Sequence, residues 1–95
     1  VVKFRKKPIV IEAIQHDGTP DSNRRIIDWT RGSATPAYMD EQIISSEGDT
    51  RSQLSINTLE GAMWVGTGDW VIRGVKGEHY PCKPDIFAAT YEAAE

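Results

Sequence analysis

The sequence predicts an α+β fold, a small twisted antiparallel sheet of about five to six strands packed by one main helix, with a short second helix near the end. Three observations carry that expectation. Patterned segments follow one another in the order β-α-β-β-β-β-β-α, and the gaps between strands are too short for parallel crossovers. One long helical stretch, about 20–31, is bracketed by a start and a stop signal. Residues 68–91, GDWVIRGVKGEHYPCKPDIFAATY, read as turn, strand, turn, strand and helix with almost no filler.

The first element is the run Pro8 to Gln15, PIVIEAIQ, where apolar residues fall on both sides and only Glu12 interrupts. That pattern predicts a central strand covered on both faces. His16-Asp17-Gly18 turns the chain, and Thr19 is placed to cap a helix with Pro20 and Asp21 in its first turn. The helix buries Ile26, Ile27 and Trp29 and stops at Arg31-Gly32, with the glycine just past its end. Residues 32–41 are weakly patterned and read as a loop. Gln42 to Ser46 and Gln53 to Asn57 form a hairpin with a polar tip, with Leu54 and Ile56 pointing inward. After a turn at 58–61, Ala62 to Val65 make a strand with Met63 and Trp64 on opposite sides.

Gly66-Thr67-Gly68-Asp69 supplies residues suited to a tight turn, and Gly74-Val75-Lys76-Gly77 supplies a second. Between them Trp70-Val71-Ile72-Arg73 is a strand, and its hairpin partner runs from Glu78 to Lys83. Pro81 donates no hydrogen bond, so that partner lies at an edge or turns Pro81 away from its neighbour. Pro84 and Asp85 start a second helix, about 84–93, on which Phe87 and Tyr91 stand one above the other.

A chain of 95 residues has room for one domain, 1–95, with one small core. Residues 1–7 form a basic arm carrying Lys3, Arg5, Lys6 and Lys7, while Glu92 and Glu95 lie at the other end. The net charge of −3 argues against a whole-domain nucleic-acid binder, since such domains are strongly basic. No apolar run reaches the length of a membrane span, and a single cysteine fits a reducing compartment, so the expected location is cytoplasmic.

No constellation of residues makes an active site. Cys82 beside Lys83 is a nucleophile only if His16 or His79 serves as its base, and strand alternation puts His79 on the face opposite Cys82. His79-x-x-Cys82 is a lone pair without a second pair at zinc spacing, so no metal and no cofactor is expected. Asp69, Glu78 and Asp85 could be grouped for acid–base work. A turn, a cross-strand partnership of Glu78 with Arg73 or Lys76, and a helix start explain them instead. The glycines at 74 and 77 precede a strand and lack P-loop spacing. Basic residues Arg24, Arg31, Arg73, Lys76 and Lys83 could join the arm to track a phosphate backbone. Trp70 fits the core, and Trp64 is the better exposed aromatic anchor.

Three stretches carry a family resemblance: KFRKKPIVIEAIQ at 3–15, LSINTLEGAM at 54–63 and GDWVIRGVKGEHYPCKPDIFAATYEA at 68–93. They resemble a family of small uncharacterised phage and prophage proteins, whose pattern near the end is similar to PGDW-I-GVKGE-YPCKPDIFE-TYE, and they are similar to the PGDYG domain. Thr67 stands where that family usually has proline, Ala88 where it often has glutamate, and the middle, 32–51, matches nothing in it. The resemblance implies a phage origin and a place in the host cytoplasm, and no reaction. The function expected is then a non-enzymatic protein-interaction module engaging a host or phage protein. A small-ligand or nucleic-acid binder and an enzyme using Cys82 are the alternatives. Edge strands pair unless protected, so a homodimer is a further expectation. The surface expected to carry function is the second hairpin with the turn before it: Asp69, Arg73, Lys76, Glu78, His79 and Lys83.

Overall fold

The computed structural model describes residues 1–94, so Glu95, read above with Glu92 as an acidic end, lies outside the described residues. The elements are β1 (Glu12–Gln15), α1 (Pro20–Thr30), β2 (Ala37–Ile43), β3 (Thr50–Thr58), β4 (Gly61–Trp64), β5 (Trp70–Arg73), β6 (His79–Cys82) and α2 (Pro84–Thr90). The fold is α+β. Its strands do not form one sheet, however, but two antiparallel sheets of three, in the orders β1-β5-β6 and β2-β3-β4.

The turn after β4 explains the division. Asp69 N–H donates to the Gly66 carbonyl at 3.1 Å, and Gly66 N–H donates to the Asp69 carboxylate at 2.9 Å. Gly68 takes a φ of +91°, open to glycine and strained for other residues. The chain leaving this turn meets β1, where His16 N–H donates to the Asp69 carbonyl at 2.8 Å and Gly68 N–H to the His16 carbonyl at 2.7 Å. β5 therefore joins the start of the chain and leaves the outer edge of β4 unpaired in sheet order.

β1 is shorter than its apolar pattern and lies at a sheet edge. Ile9 and Val10 are 50% and 79% exposed, because β5 offers only the four rungs from Glu12↔Arg73 to Gln15↔Trp70. β5 is the strand covered on both faces, with Val71 and Ile72 both buried. β2 corrects the loop expected at 32–41 and moves the strand expected at Gln42–Ser46 toward the start of the chain: it pairs with β3 along seven rungs, from Ala37↔Ile56 to Ile43↔Thr50.

α1 forms where its signals place it. The Thr19 hydroxyl accepts from Ser22 N–H at 3.2 Å. Gly32, at φ +79°, follows Arg31 in a turn closed by Ser33 N–H donating to the Thr30 carbonyl at 3.2 Å. The Thr30 hydroxyl donates back to the Ile26 carbonyl at 3.0 Å and accepts from Ala37 N–H at 2.8 Å, which fixes where β2 begins.

The core joins the helix to the facing sides of both sheets. Ile26, Ala37, Leu54, Ile56, Val65 and Val71 are buried together, with Ile14, Ile27 and Trp29 packed against them. Each fully buried isoleucine or leucine contributes about 2 kcal/mol. On the opposite face of the first sheet, Trp70 stacks on Phe87 of α2 at 4.2 Å between ring centroids, and Phe87 meets Tyr91 at 5.0 Å.

Candidate functional site

The six residues expected on the functional surface do not form one surface. Asp69 and His79 are buried, 3% and 2% exposed, so both leave the exposed set. Asp69 closes its turn and accepts from Lys83 Nζ at 3.2 Å. Arg73 stacks over the Trp29 ring at 4.4 Å, donates to the Trp29 carbonyl at 3.1 Å and pairs with Glu12 at 3.3 Å. Glu78 is not the cross-strand partner of Arg73; its carboxylate accepts from Lys76 backbone N–H at 3.0 Å. His79 shares its face of the sheet with Val71, and that face packs on the core.

His79 is a structural histidine. Its backbone N–H donates to the Thr35 hydroxyl at 2.7 Å, and its Nδ1 lies 2.9 Å from that oxygen and 3.3 Å from the Ser33 hydroxyl. Its Nε2 faces Arg73 Nε at 3.2 Å. Arginine has only donors, so Nε2 must accept, the proton sits on Nδ1 and the ring is neutral. Burial first, and then the Arg73 guanidinium, hold its pKa below the ordinary value. The Trp29 ring packs edge-on at 5.1 Å.

The other candidate chemistry fares no better. His16 shares a hydrogen bond with the Ser22 hydroxyl at 2.8 Å, and burial lowers its pKa. Cys82 lies opposite Trp70 in the ladder, across β6 from the face that carries His79. Its thiol is pushed up by burial and then by the Asp69 and Asp85 carboxylates, the reverse of what activates a nucleophile. Among the described residues no group of three His, Cys, Asp or Glu could hold a metal ion, and no helix is long and apolar enough to cross a membrane. Of the basic residues proposed to track phosphates, Arg31, Arg73 and Lys83 are each paired with a carboxylate.

The outer face of β2-β3-β4 carries a different arrangement. Tyr38, Ser55 and Trp64 are in register across the three strands, Ser55 between the two aromatics. Side chains opposite one another in antiparallel strands point to the same face. Ala37, Leu54 and Ile56 face the core, so the Tyr38–Ser55–Trp64 row faces outward. Trp64 is 52% exposed, Tyr38 is 38% exposed and Ser55 is fully buried. The Ser55 hydroxyl has no hydrogen-bond partner, which is costly for a buried polar group. On the same face stand the polar Asp40, Gln53 and Asn57, with Ala62 opposite Asn57. Trp64 as an exposed aromatic was legible from its opposition to Met63. The burial of Ser55 was not, because it depends on register between strands. Comparison with known protein families, curated proteins and solved structures yields no match.

Proposed function

We propose that this chain is a small non-enzymatic protein-interaction module, phage-encoded and acting in the host cytoplasm, which engages a host or phage protein through the outer face of β2-β3-β4. The observation that carries the reading is the row Tyr38–Ser55–Trp64, two exposed aromatics flanking a buried hydroxyl without a partner. Tryptophan and tyrosine are the residues on which binding energy concentrates, and a polar rim around them suits a protein partner. Phage origin and cytoplasmic location rest on the family resemblance of 3–15, 54–63 and 68–93.

The test is capture of partners from bacterial lysate by tagged protein, native and Trp64→Ser, with and without nuclease. The reading expects a protein that survives nuclease and is lost with Trp64→Ser. Capture that disappears on nuclease treatment would move the function to nucleic acid and to the basic arm.

A further inference from the structure

We propose that two copies of this chain associate by reciprocal strand exchange, the basic arm of each adding to the free edge of β4 in the other. This goes beyond the partner reading above and does not depend on it. The edges of the two sheets are not alike. Gly74 N–H donates to the Glu78 carbonyl, which fixes Gly74–Glu78, Ile72–Tyr80 and Trp70–Cys82 as the bonded pairs of β5 and β6. The outward backbone groups of β6 are then those of His79 and Pro81. His79 N–H is taken by the Thr35 hydroxyl and Pro81 has none, so this edge offers no donor to another strand. The dimer expected through the Pro81 edge is therefore not supported there. β2 carries Asp40 and Glu41, charges of the kind that guard an edge.

β4 has no such guard. Val65 N–H donates to the Leu54 carbonyl at 2.8 Å, so Met63 and Gly61 bond to β3 while the backbone groups of Ala62 and Trp64 point away from it. All four residues of β4 are exposed, and none is proline or charged. Beside this edge lies a hollow of about 380 Å³ lined chiefly by Leu59, Met63, Tyr80 and Pro81, with Glu60 and Glu78 also on its wall. It suits an incoming strand that turns apolar side chains toward it.

The chain holds such a strand. Val1-Val2-Lys3-Phe4-Arg5-Lys6-Lys7 belongs to no helix or strand, and Val2 and Phe4 are 75% and 92% exposed. Alternation gives Val2 and Phe4 one face and Lys3 and Arg5 the other. Laid along β4, the first pair turns into the hollow, while Lys3 and Arg5 lie on the Trp64 side, where cation–π contact is available. An acidic segment would set like charge against Glu60 and Glu78, and a proline-rich one lacks the N–H groups that the outward carbonyls of Ala62 and Trp64 take. Reciprocal exchange closes as a twofold dimer and leaves no open end.

Sedimentation velocity over a concentration series tests this on the native chain, on Ala62→Pro and on a chain lacking residues 1–7. Ala62 N–H points away from β3, so proline there removes the docking donor and keeps the β3–β4 ladder. The native chain is expected to sediment as a dimer, and both variants as monomers with unchanged circular dichroism. If Ala62→Pro unfolds, Ala62→Lys serves as the edge variant. Phe4→Cys and Met63→Cys chains, each also Cys82→Ser, should form a mixed disulfide when combined. A monomeric native chain at all concentrations, or a dimer that persists in both variants, overturns the proposal. Because the docked arm lies along the Trp64 side, the capture experiment is also run on the chain lacking residues 1–7, where failure of either reading leaves the other standing.

Discussion

Thr35→Val isolates the contact that ties β6 to the segment before β2. The substitution keeps the branched shape and removes one oxygen. That oxygen accepts two hydrogen bonds from His79, from the backbone N–H at 2.7 Å and from Nδ1 at 2.9 Å, with Thr35 and His79 both buried. Nδ1–H keeps a longer contact to the Ser33 hydroxyl at 3.3 Å, whereas the backbone N–H has no other acceptor. A buried donor left without a partner costs about 1–3 kcal/mol, so the loss should total about 3 kcal/mol. For a domain whose whole stability is about 5–15 kcal/mol, this is a large fraction. With a urea dependence of about 1.5 kcal/mol per molar, the unfolding midpoint should fall by about 2 M. Thr35→Ser keeps the oxygen and loses a methyl group, at about 1 kcal/mol. Equilibrium urea unfolding of both variants reads the difference. If valine and serine lower the midpoint equally, the hydroxyl contributes nothing beyond its packing, and the account of His79 fails.

Both histidines make stability depend on pH in one direction. Burial lowers the pKa of His79 and of His16 in the folded chain, so the unfolded chain binds protons first as pH falls. Stability is complete above about pH 6.5, and it declines from there toward the lower folded-state values. His79→Gln should begin less stable and show a flatter decline; an unchanged slope in urea titrations across that range would remove His79 from the explanation. Ser55→Ala removes a buried hydroxyl without a partner and should raise stability by about 1 kcal/mol, read by thermal unfolding. A loss of that size instead would mean the hydroxyl is satisfied. Gly18→Ala should cost about 1–2 kcal/mol for its φ of +84° alone. Its new Cβ would also meet the Thr67 hydroxyl oxygen at 2.5 Å, so a neutral result in the same assay would contradict the docking of the two turns.

What could be read from sequence was what depends on near neighbours. α1 was legible because Thr19, Pro20 and Gly32 mark both ends with local chemistry, and the 66–83 hairpin because its glycines mark its turns. Pro81 at an edge followed from its missing N–H, and β6 is an edge strand. β1 was drawn too long because apolar residues suggest a strand but do not supply the rungs it needs. The β2–β3 hairpin was legible, but its first strand was placed at Gln42–Ser46 where β2 runs Ala37–Ile43, because Asp40 and Glu41 disfavour strands in isolation and the pairing partner that overrides them lies beyond a turn. The division into two sheets and the burial of His79 share one cause. Both depend on which distant segments meet, and Thr35, which holds His79, stands 44 residues before it. The site showed the same limit: Trp64 was visible as an anchor, while its neighbours Ser55 and Tyr38 appeared only with the register.

The central claim is that the outer face of β2-β3-β4 binds a protein, and Trp64→Ser tests it most directly. Trp64 is half exposed and outside the core, so the variant should keep the native melting curve and circular dichroism. Tagged native and variant chains would be used side by side to capture proteins from nuclease-treated bacterial lysate at moderate and high salt. The account predicts a protein held by the native chain in both salts and absent with Trp64→Ser. Equal capture by the two chains, or capture that vanishes with nuclease alone, would contradict it.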